Sequence, residues 1–591
     1  MLGLLMPSIP SASLAAVLLA ASAACGGAPA APPPPASPTT DTPAVSAPVV
    51  PDPIIVIGAG IAGLSAATEA AGTGARVLII DRSSVFGGHA VVSGGGVTMI
   101  DTPVQQAARL TDTPAMAAED FLRWGEDADE DWVRRYAEES RAQVYDWLTA
   151  MGVEFTGLVQ LQGNRVARYH RTREGGLGLI TPLYRNAMKL GAQLRYNEDV
   201  TEILVEDGRA IGVRTRGVRD GRDRVRDASA VILASGGYQS NLERVRLNWP
   251  RGLPTPERIL AGSGRNSRGD GLDLARQAGA AMHRMDHQWN YATGLPDPRY
   301  PGGERGLNAE VPRSIWVNRL GRRFVDETAG TRVTFPAVLR QPGTYFWAIL
   351  DADGARAMTI AGPQWADRAK VDREVLNNSA LVVAAADLRG LARDAGLPFN
   401  RIRRAIAVHN AGNVGFRIER APFYAIRMYP LARKSMGGVA VDQNAQVVDD
   451  DGDPIPGLYA AGEVTGFAGI NGRAALEGTF LGPSVLMGRV AGRAAAAQVS
   501  PVRPPRAISN VRVTSPPASF GDDACTRCHP IQALALERTS WQHLAAAHRR
   551  VRTEGTPCAS CHAELYPYRE QQHRADRIMQ SQTCRHCHLP R

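Results

Sequence analysis

The chain has 591 residues, 44% hydrophobic, 6% aromatic and 21% charged, and 67 Lys+Arg against 58 Asp+Glu give a net charge of +9. That length suggests roughly three or four domains at about 150 residues each, and the composition is that of a globular chain rather than a fibrous or disordered one. A mild positive excess with no long basic run leaves no footprint for nucleic acid, and the absence of Cys between Cys25 and Cys525 excludes a disulfide-stapled core there.

In chain order, the first feature is an apolar run of 11 residues, Leu14 to Ala24, too short to span a bilayer and the length of a signal-peptide core. It closes on Ser22-Ala23-Ala24-Cys25-Gly26, which looks like a bacterial lipoprotein cleavage site. Residues 1–24 are therefore expected to be removed on export, leaving a lipidated Cys25 and a periplasmic or cell-envelope protein. An ordinary secreted precursor, cleaved near Ala24 with Cys25 unmodified, is the alternative. Residues 25–53 are rich in Ala, Pro, Ser and Thr, the composition of an extended tether that cannot bury a core.

The apolar run Ile54-Ile55-Val56-Ile57 reads as a buried parallel strand and runs into Gly58-Ala59-Gly60-Ile61-Ala62-Gly63. A helix-compatible stretch, Leu64 to Ala71, and a second apolar run, Val77 to Ile80, follow and end on Asp81 and Arg82. In this pattern Gly58 makes the tight turn, Gly60 lets the backbone approach a pyrophosphate, and Gly63 permits close helix–strand packing. The helix N-terminus faces the phosphates and Asp81 can accept from ribose hydroxyls. Gly87-Gly88-His89 and Ser93-Gly94-Gly95-Gly96 come next, glycine clusters suited to a backbone lying against a flat ring, which favours FAD over NAD. Val231 to Leu233 is another buried strand entering a glycine turn, Ala234-Ser235-Gly236-Gly237, and Gly457 to Glu463 repeats the pattern.

With these motifs the chain resembles the flavoprotein family of fumarate reductases, succinate dehydrogenases and 3-ketosteroid dehydrogenases, from about residue 53 to 497. The resemblance implies an α/β fold: a two-part doubly wound FAD-binding domain (54–287 and 416–499) interrupted by an α+β capping domain (288–415). It also implies Glu463 on the FAD ribose, Ser484 and Val485 near the flavin ring, and Asp270 in a turn before a helix. His89 stands where membrane-bound relatives attach FAD covalently.

Residues 500–520 form a Pro-rich linker, and 521–591 carry Cys525-Thr526-Arg527-Cys528-His529, Cys558-Ala559-Ser560-Cys561-His562 and Cys584-Arg585-His586-Cys587-His588. Each is a c-type haem attachment sequence, in which two thiols bond the haem and the adjacent His ligates iron. Three such pentapeptides, using every Cys of the segment, predict a small, mostly helical three-haem cytochrome c domain. Structural zinc would need pairs in even number and no His after every second Cys. His543, His548 and His573 are the candidates for the second axial ligands.

For the substrate, the resemblance points to Arg332 as proton donor, although it lies one residue later than the family pattern. It also places Arg313, Arg473, Lys434 and Tyr291 around a carboxylate or carbonyl. Lys434 and Tyr291 stand where fumarate reductases have histidines, which argues against fumarate itself. The expected activity is reduction of an activated C=C bond in a small organic substrate, an enoate or enone, with electrons passing between haems and FAD. A quinol-linked membrane protein or a soluble cytochrome would be the redox partner. A dehydrogenase of ketosteroid or acid type, delivering electrons to the haems, is one alternative; a non-catalytic electron-transfer lipoprotein is another.

Overall fold

The computed structural model describes residues 52–498, apart from Pro301, Asn413 and Val414. The leader, Cys25 and its tether, the linker and all the haem-binding Cys and His lie outside the described residues.

The first sheet is built from the apolar runs that the sequence exposes. Its six strands stand in the order Gln446–Val448, Pro454–Ala460, Ala230–Leu233, Ile54–Ile57, Val77–Asp81, Gln193–Tyr196. All neighbours pair in parallel except the outermost Gln446–Val448, which folds back antiparallel on Pro454–Ala460. Strands covered on both faces read as continuous apolar runs because both sides meet a core. Accordingly Ile54 and Val56 face one hydrophobic cluster while Ile55 and Ile57 face the other. Helices Ile61–Gly72 and Leu481–Ala497 cover the first of these faces. They approach so closely that a Cβ on Gly488 or Gly492 would overlap the carbonyls of Ala62 and Ala66.

The second sheet has eight strands, with Ile315–Val317, Phe346–Leu350, Phe423–Ser435, Gln288–Pro296, Gly306–Glu310 and Thr359–Ile360 in that order. Leu260–Ala261 and Val382–Ala385 also pair with Phe423–Ser435. The expected cap limit of 415 therefore falls short of this sheet, which runs on to Ser435. Phe423–Ser435 is a 13-residue strand paired on both edges, and its burial removes the alternation by which a strand is usually read. The ladder between Gln288–Pro296 and this strand loses register between Tyr291 and Gly294, opposite Pro430, which has no N–H to give.

Beneath the first part of the chain lies a fully buried ion network. The Arg168 guanidinium donates to Asp112 Oδ1 and Oδ2 at 2.7 and 2.8 Å and to Asp120 Oδ2 at 2.6 Å. Beside it, His170 is buried between the Arg168 carbonyl and Thr102 Oγ1, both at 2.7 Å. Among the described residues no helix is long and apolar enough to cross a membrane.

Candidate active site

The nucleotide end follows from the glycines. Gly58 has φ +108°, a left-handed conformation, and a Cβ there would overlap the Ala234 carbonyl. A Cβ on Gly63 would overlap the Gly58 carbonyl, so this glycine seats the helix on the turn. At Gly60, by contrast, no atom lies within 4 Å of where a Cβ would stand. That leaves an open cradle at the N-terminus of helix Ile61–Gly72, where amide N–H groups and the helix dipole favour an anion. Asp81 closes the cradle by accepting from Ala59 N at 2.6 Å and Ser83 N at 2.7 Å. Burial pushes its carboxyl above the ordinary range against these two bonds. Gly88 (φ +53°) folds the next loop back, so that its Cβ position stands 3.2 Å from Gly60 Cα.

Some expected cofactor residues are occupied within the chain. Arg82 pairs with Asp270, with Asp199 Oδ2 at 3.7 Å, which ties the end of the second strand to helix Asp270–Gln277. Ser93 Oγ donates to Ala90 O at 2.7 Å and accepts from Gly95 N at 3.1 Å. Around Gly94, Gly95 and Gly96 the flat ring is the protein's own: a Cβ on Gly96 would overlap Tyr169, and one on Gly95 would overlap Thr172 and Gly175. Ala234 and Val485 are buried. Gly236 has φ +78° and Ser484 Oγ donates to Phe480 O at 2.8 Å in the first turn of helix Leu481–Ala497.

Glu463 accepts from Ser435 N and Ser435 Oγ, both at 3.1 Å, and burial raises its pKa. His89 is buried, with Nδ1 3.2 Å from Ser263 Oγ and Nε2 without a partner. Burial, together with the charges of Arg433, Lys434 and Arg305, pushes its imidazole well below the ordinary range, so it is neutral. An open cradle, an unpartnered buried ring nitrogen and a carboxylate beyond the second glycine turn together fit a dinucleotide carrying a flat ring.

The chemical end is a cluster of four side chains. Lys434 Nζ donates to Tyr291 Oη at 2.9 Å, and Tyr291 Oη donates to Glu477 Oε1 at 2.8 Å. Trp289 Nε1 donates to the same oxygen at 2.7 Å, and Lys434 Nζ lies 3.5 Å from Glu477 Oε2. Tyr291 packs against a buried apolar cluster of Trp289, Met436, Phe467, Ala474, Ala475 and Phe480, and Lys434 Nζ lies 3.6 Å from the Phe480 ring centroid. Burial brings Lys434 down to about 8, opposed mainly by the charge of Glu477. Behind it, Arg433 donates to Gly262 O and leaves Nε unpartnered, and burial lowers its pKa.

The other expected substrate residues have different partners. Arg473 Nη2 stands 3.4 Å from Asp127 Oδ2, with its side chain 56% exposed. Asp127 also accepts from His287 Nε2 at 2.9 Å. Arg332 pairs with Glu126, donates to Trp124 O at 3.1 Å and lies over the Trp124 ring. Both arginines thus reach the C-terminal end of helix Pro114–Gly125 and the residues that follow it. Arg313 packs over Phe416, which belongs to the apolar cluster with Ile402 and Ile406. The structure bonds Lys434 to Tyr291, sets Arg332 and Arg473 against residues 124–127, and packs Arg313 over Phe416. Glu477, Trp289, Arg433 and Tyr169 were not anticipated. Glu477 carries a sequence signal all the same, as the sole acid between Glu463 and helix Leu481–Ala497.

The profile of a family described as FAD binding domain matches residues 53–481. The chain belongs to this FAD-binding family. It is 31% identical over 469 residues to a fumarate reductase (cytochrome) of Shewanella frigidimarina, covering 76% of this chain and 78% of that protein. It is likewise 31% identical over 543 residues to a KsdD-like steroid dehydrogenase of Mycobacterium tuberculosis, covering 75% of this chain and 96% of that one. Among solved structures, the open conformation of a flavocytochrome c3 fumarate reductase superposes with a TM-score of 0.64 at 28% identity, covering 76% and 79% of the two chains. The FAD-binding chain is thus an FAD-dependent oxidoreductase of a family acting on CH–CH bonds.

Proposed function

We propose that this flavoprotein is an exported flavocytochrome that reduces a C=C bond conjugated to the carbonyl of a neutral, largely apolar substrate, an enone in preference to a dicarboxylate. Bound FAD supplies hydride, and Gly58, Gly60, Gly63, Asp81 and Glu463 are the residues to hold it. The supporting observation is charge pairing around the pocket. Lys434 faces Glu477, Arg473 faces Asp127 and Arg332 faces Glu126, so three of the four expected cations already have an acid of the chain, while the fourth, Arg313, packs over Phe416. A carboxylate seeking Lys434 would have to displace Glu477 from the least exposed of these pairs, and stripping a charged partner from a buried pair commonly costs about 2–5 kcal/mol. A neutral carbonyl needs only one hydrogen-bond donor among aromatic walls. As the C=C bond is reduced, charge develops on that oxygen, and fixed donors in a water-poor site stabilise it.

Three c-haems on Cys525 and Cys528, Cys558 and Cys561, and Cys584 and Cys587 would bring electrons from a membrane or soluble donor. A lipid on Cys25 would keep the protein at the envelope. The test is an anaerobic screen with reduced methyl viologen as donor. Enones should oxidise the dye at least about 100-fold faster than fumarate at equal concentration, the factor that a penalty of about 2.7 kcal/mol gives. Equal rates would sink the neutral-substrate reading. The second reading, a dehydrogenase passing electrons to the haems, is favoured by similarity to a KsdD-like steroid dehydrogenase over 96% of that relative. Haem reduction by a saturated ketone, with no viologen oxidation by enones, would decide for it.

A further inference from the structure

Of the 67 Lys+Arg in this chain, three are lysine: Lys189, Lys370 and Lys434. An arginine would serve Lys434 equally well as a fixed positive charge, but a guanidinium does not release its proton whereas a buried ammonium does. Lys434 is also the residue that joins Tyr291 and Glu477 into one hydrogen-bonded unit inside the pocket.

We propose that Tyr291, Lys434 and Glu477 act as a single proton-transfer group, in which the Tyr291 phenol exchanges a proton with the substrate, Lys434 stores it and Glu477 positions both. The inference rests on the carbonyl-conjugated substrate proposed above. In reduction, bound reduced flavin would supply the hydride for the β-carbon as the π bond opens. The Tyr291 O–H bond breaks while the second C–H bond forms at the α-carbon. The phenolate that remains takes a proton from the Lys434 ammonium, and neutral Lys434 recovers one from water. Hydride and proton together balance the two electrons lost by the flavin. Dehydrogenation runs the same steps backwards, with Lys434 starting neutral.

The geometry suits each role. Tyr291 Oη accepts from Lys434 while donating to Glu477, and a hydroxyl hydrogen rotates about its C–O bond, so it can turn to the substrate with the Lys434 contact intact. Burial and the Glu477 charge hold the phenol well above its ordinary range, so Tyr291 starts as the neutral acid. Glu477 is not the donor. Burial opposes its charge, but Lys434 and the bonds from Trp289, Tyr291 and Lys434 outweigh this and hold the carboxyl below its ordinary range. Arg433, Glu463, His89 and Tyr169 are the other titratable groups that act on the unit.

The experiment compares the full-chain holoprotein with Glu477→Gln, Tyr291→Phe and Lys434→Arg. Competitive amine labelling of Lys434 against pH, read by mass spectrometry, needs no turnover, and three lysines make the peptide unambiguous. Wild type should give a midpoint near pH 8. In Glu477→Gln the lost counter-charge should lower it by about one unit or more; an unchanged midpoint overturns the proposal. Tyr291→Phe and Lys434→Arg should each lose roughly 100-fold or more in kcat, the typical share of a positioned acid, with KM within about threefold. Reductive kcat should fall above about pH 8 in wild type, and that limb should vanish in Lys434→Arg. Either variant retaining more than about a tenth of wild-type kcat overturns the proposal. If wild type reduces no enone, the proposed substrate falls, while the labelling still decides the proton-transfer group.

Discussion

At the scale of single residues, the arginines that a sequence pattern would assign to catalysis are weak candidates once their partners are seen. Arg332 is 37% exposed and paired with Glu126, and ion pairs of this exposure contribute about 0–1 kcal/mol. Arg332→Lys should therefore keep more than about a tenth of wild-type turnover on the best enone. Arg473→Ala, which breaks a 3.4 Å contact to Asp127, should raise KM by less than about fivefold, within about 1 kcal/mol. Steady-state kinetics on both variants checks this, and loss of activity in Arg332→Lys would return the proton to arginine. His170 makes a different statement, about pH. Burial brings its imidazole down to about 4, below its unfolded value, so the unfolded chain takes up a proton first as pH falls. Stability from the neutral ring is complete above about pH 6.5 and is lost between there and about pH 4, to the extent of about 3 kcal/mol. Urea midpoints at pH 7 and pH 4.5 should show that fall, and His170→Asn should show less of it.

At the scale of elements, the turn between strand Ile54–Ile57 and helix Ile61–Gly72 contains two glycines that fail differently. Gly60 has φ −76° and open space beside it, so Gly60→Ala should fold with near-normal stability. Its methyl group would stand in the cradle, and FAD affinity should drop by about tenfold or more, or about 1.4 kcal/mol. Gly63→Ala must push the helix off the turn, and overpacking of this kind costs about 1–3 kcal/mol. Thermal melts of the apoproteins and flavin titration separate the two, and equal stability losses would refute the distinction. The same turn explains why this end of the site was legible in sequence. Glycines, strand and Asp81 lie within 28 residues and act through local backbone geometry. The substrate end was half legible because its partners are remote. Glu126 meets Arg332 across 206 positions and Tyr291 meets Glu477 across 186, and no local pattern encodes either meeting. The membership of Phe423–Ser435 in the second sheet was hidden for a similar reason, since pairing on both edges gives it an apolar run without alternation.

At the scale of the whole molecule, charge and sulfur are segregated. The described residues hold no Cys, while six of the seven stand beyond residue 520 in three Cys-x-x-Cys-His units. We expect three covalent haems per flavin, measured by pyridine haemochrome against released FAD; a ratio of two or fewer would exclude the full set. The Arg168 network sets a second global expectation. Both of its acids are fully buried, and removing one strands a buried charge at a cost of about 3–5 kcal/mol. Asp112→Ala should accordingly unfold at markedly lower urea concentration than wild type, whereas a shift under about 1 kcal/mol would mean that water reaches Arg168.

The strand Phe423–Ser435 pairs with Phe346–Leu350 at one end and, at its other end, Ser435 holds Glu463 through both its amide and its hydroxyl. Lys434 is the residue immediately before. No loop lies between these points to absorb displacement, so a push on one end of the strand would be felt at the other. A substrate that draws the second sheet inward would tighten the grip of Ser435 on Glu463, and by reciprocity a seated nucleotide would present Lys434 already in position. The loaded molecule should then release its flavin more slowly when substrate is present.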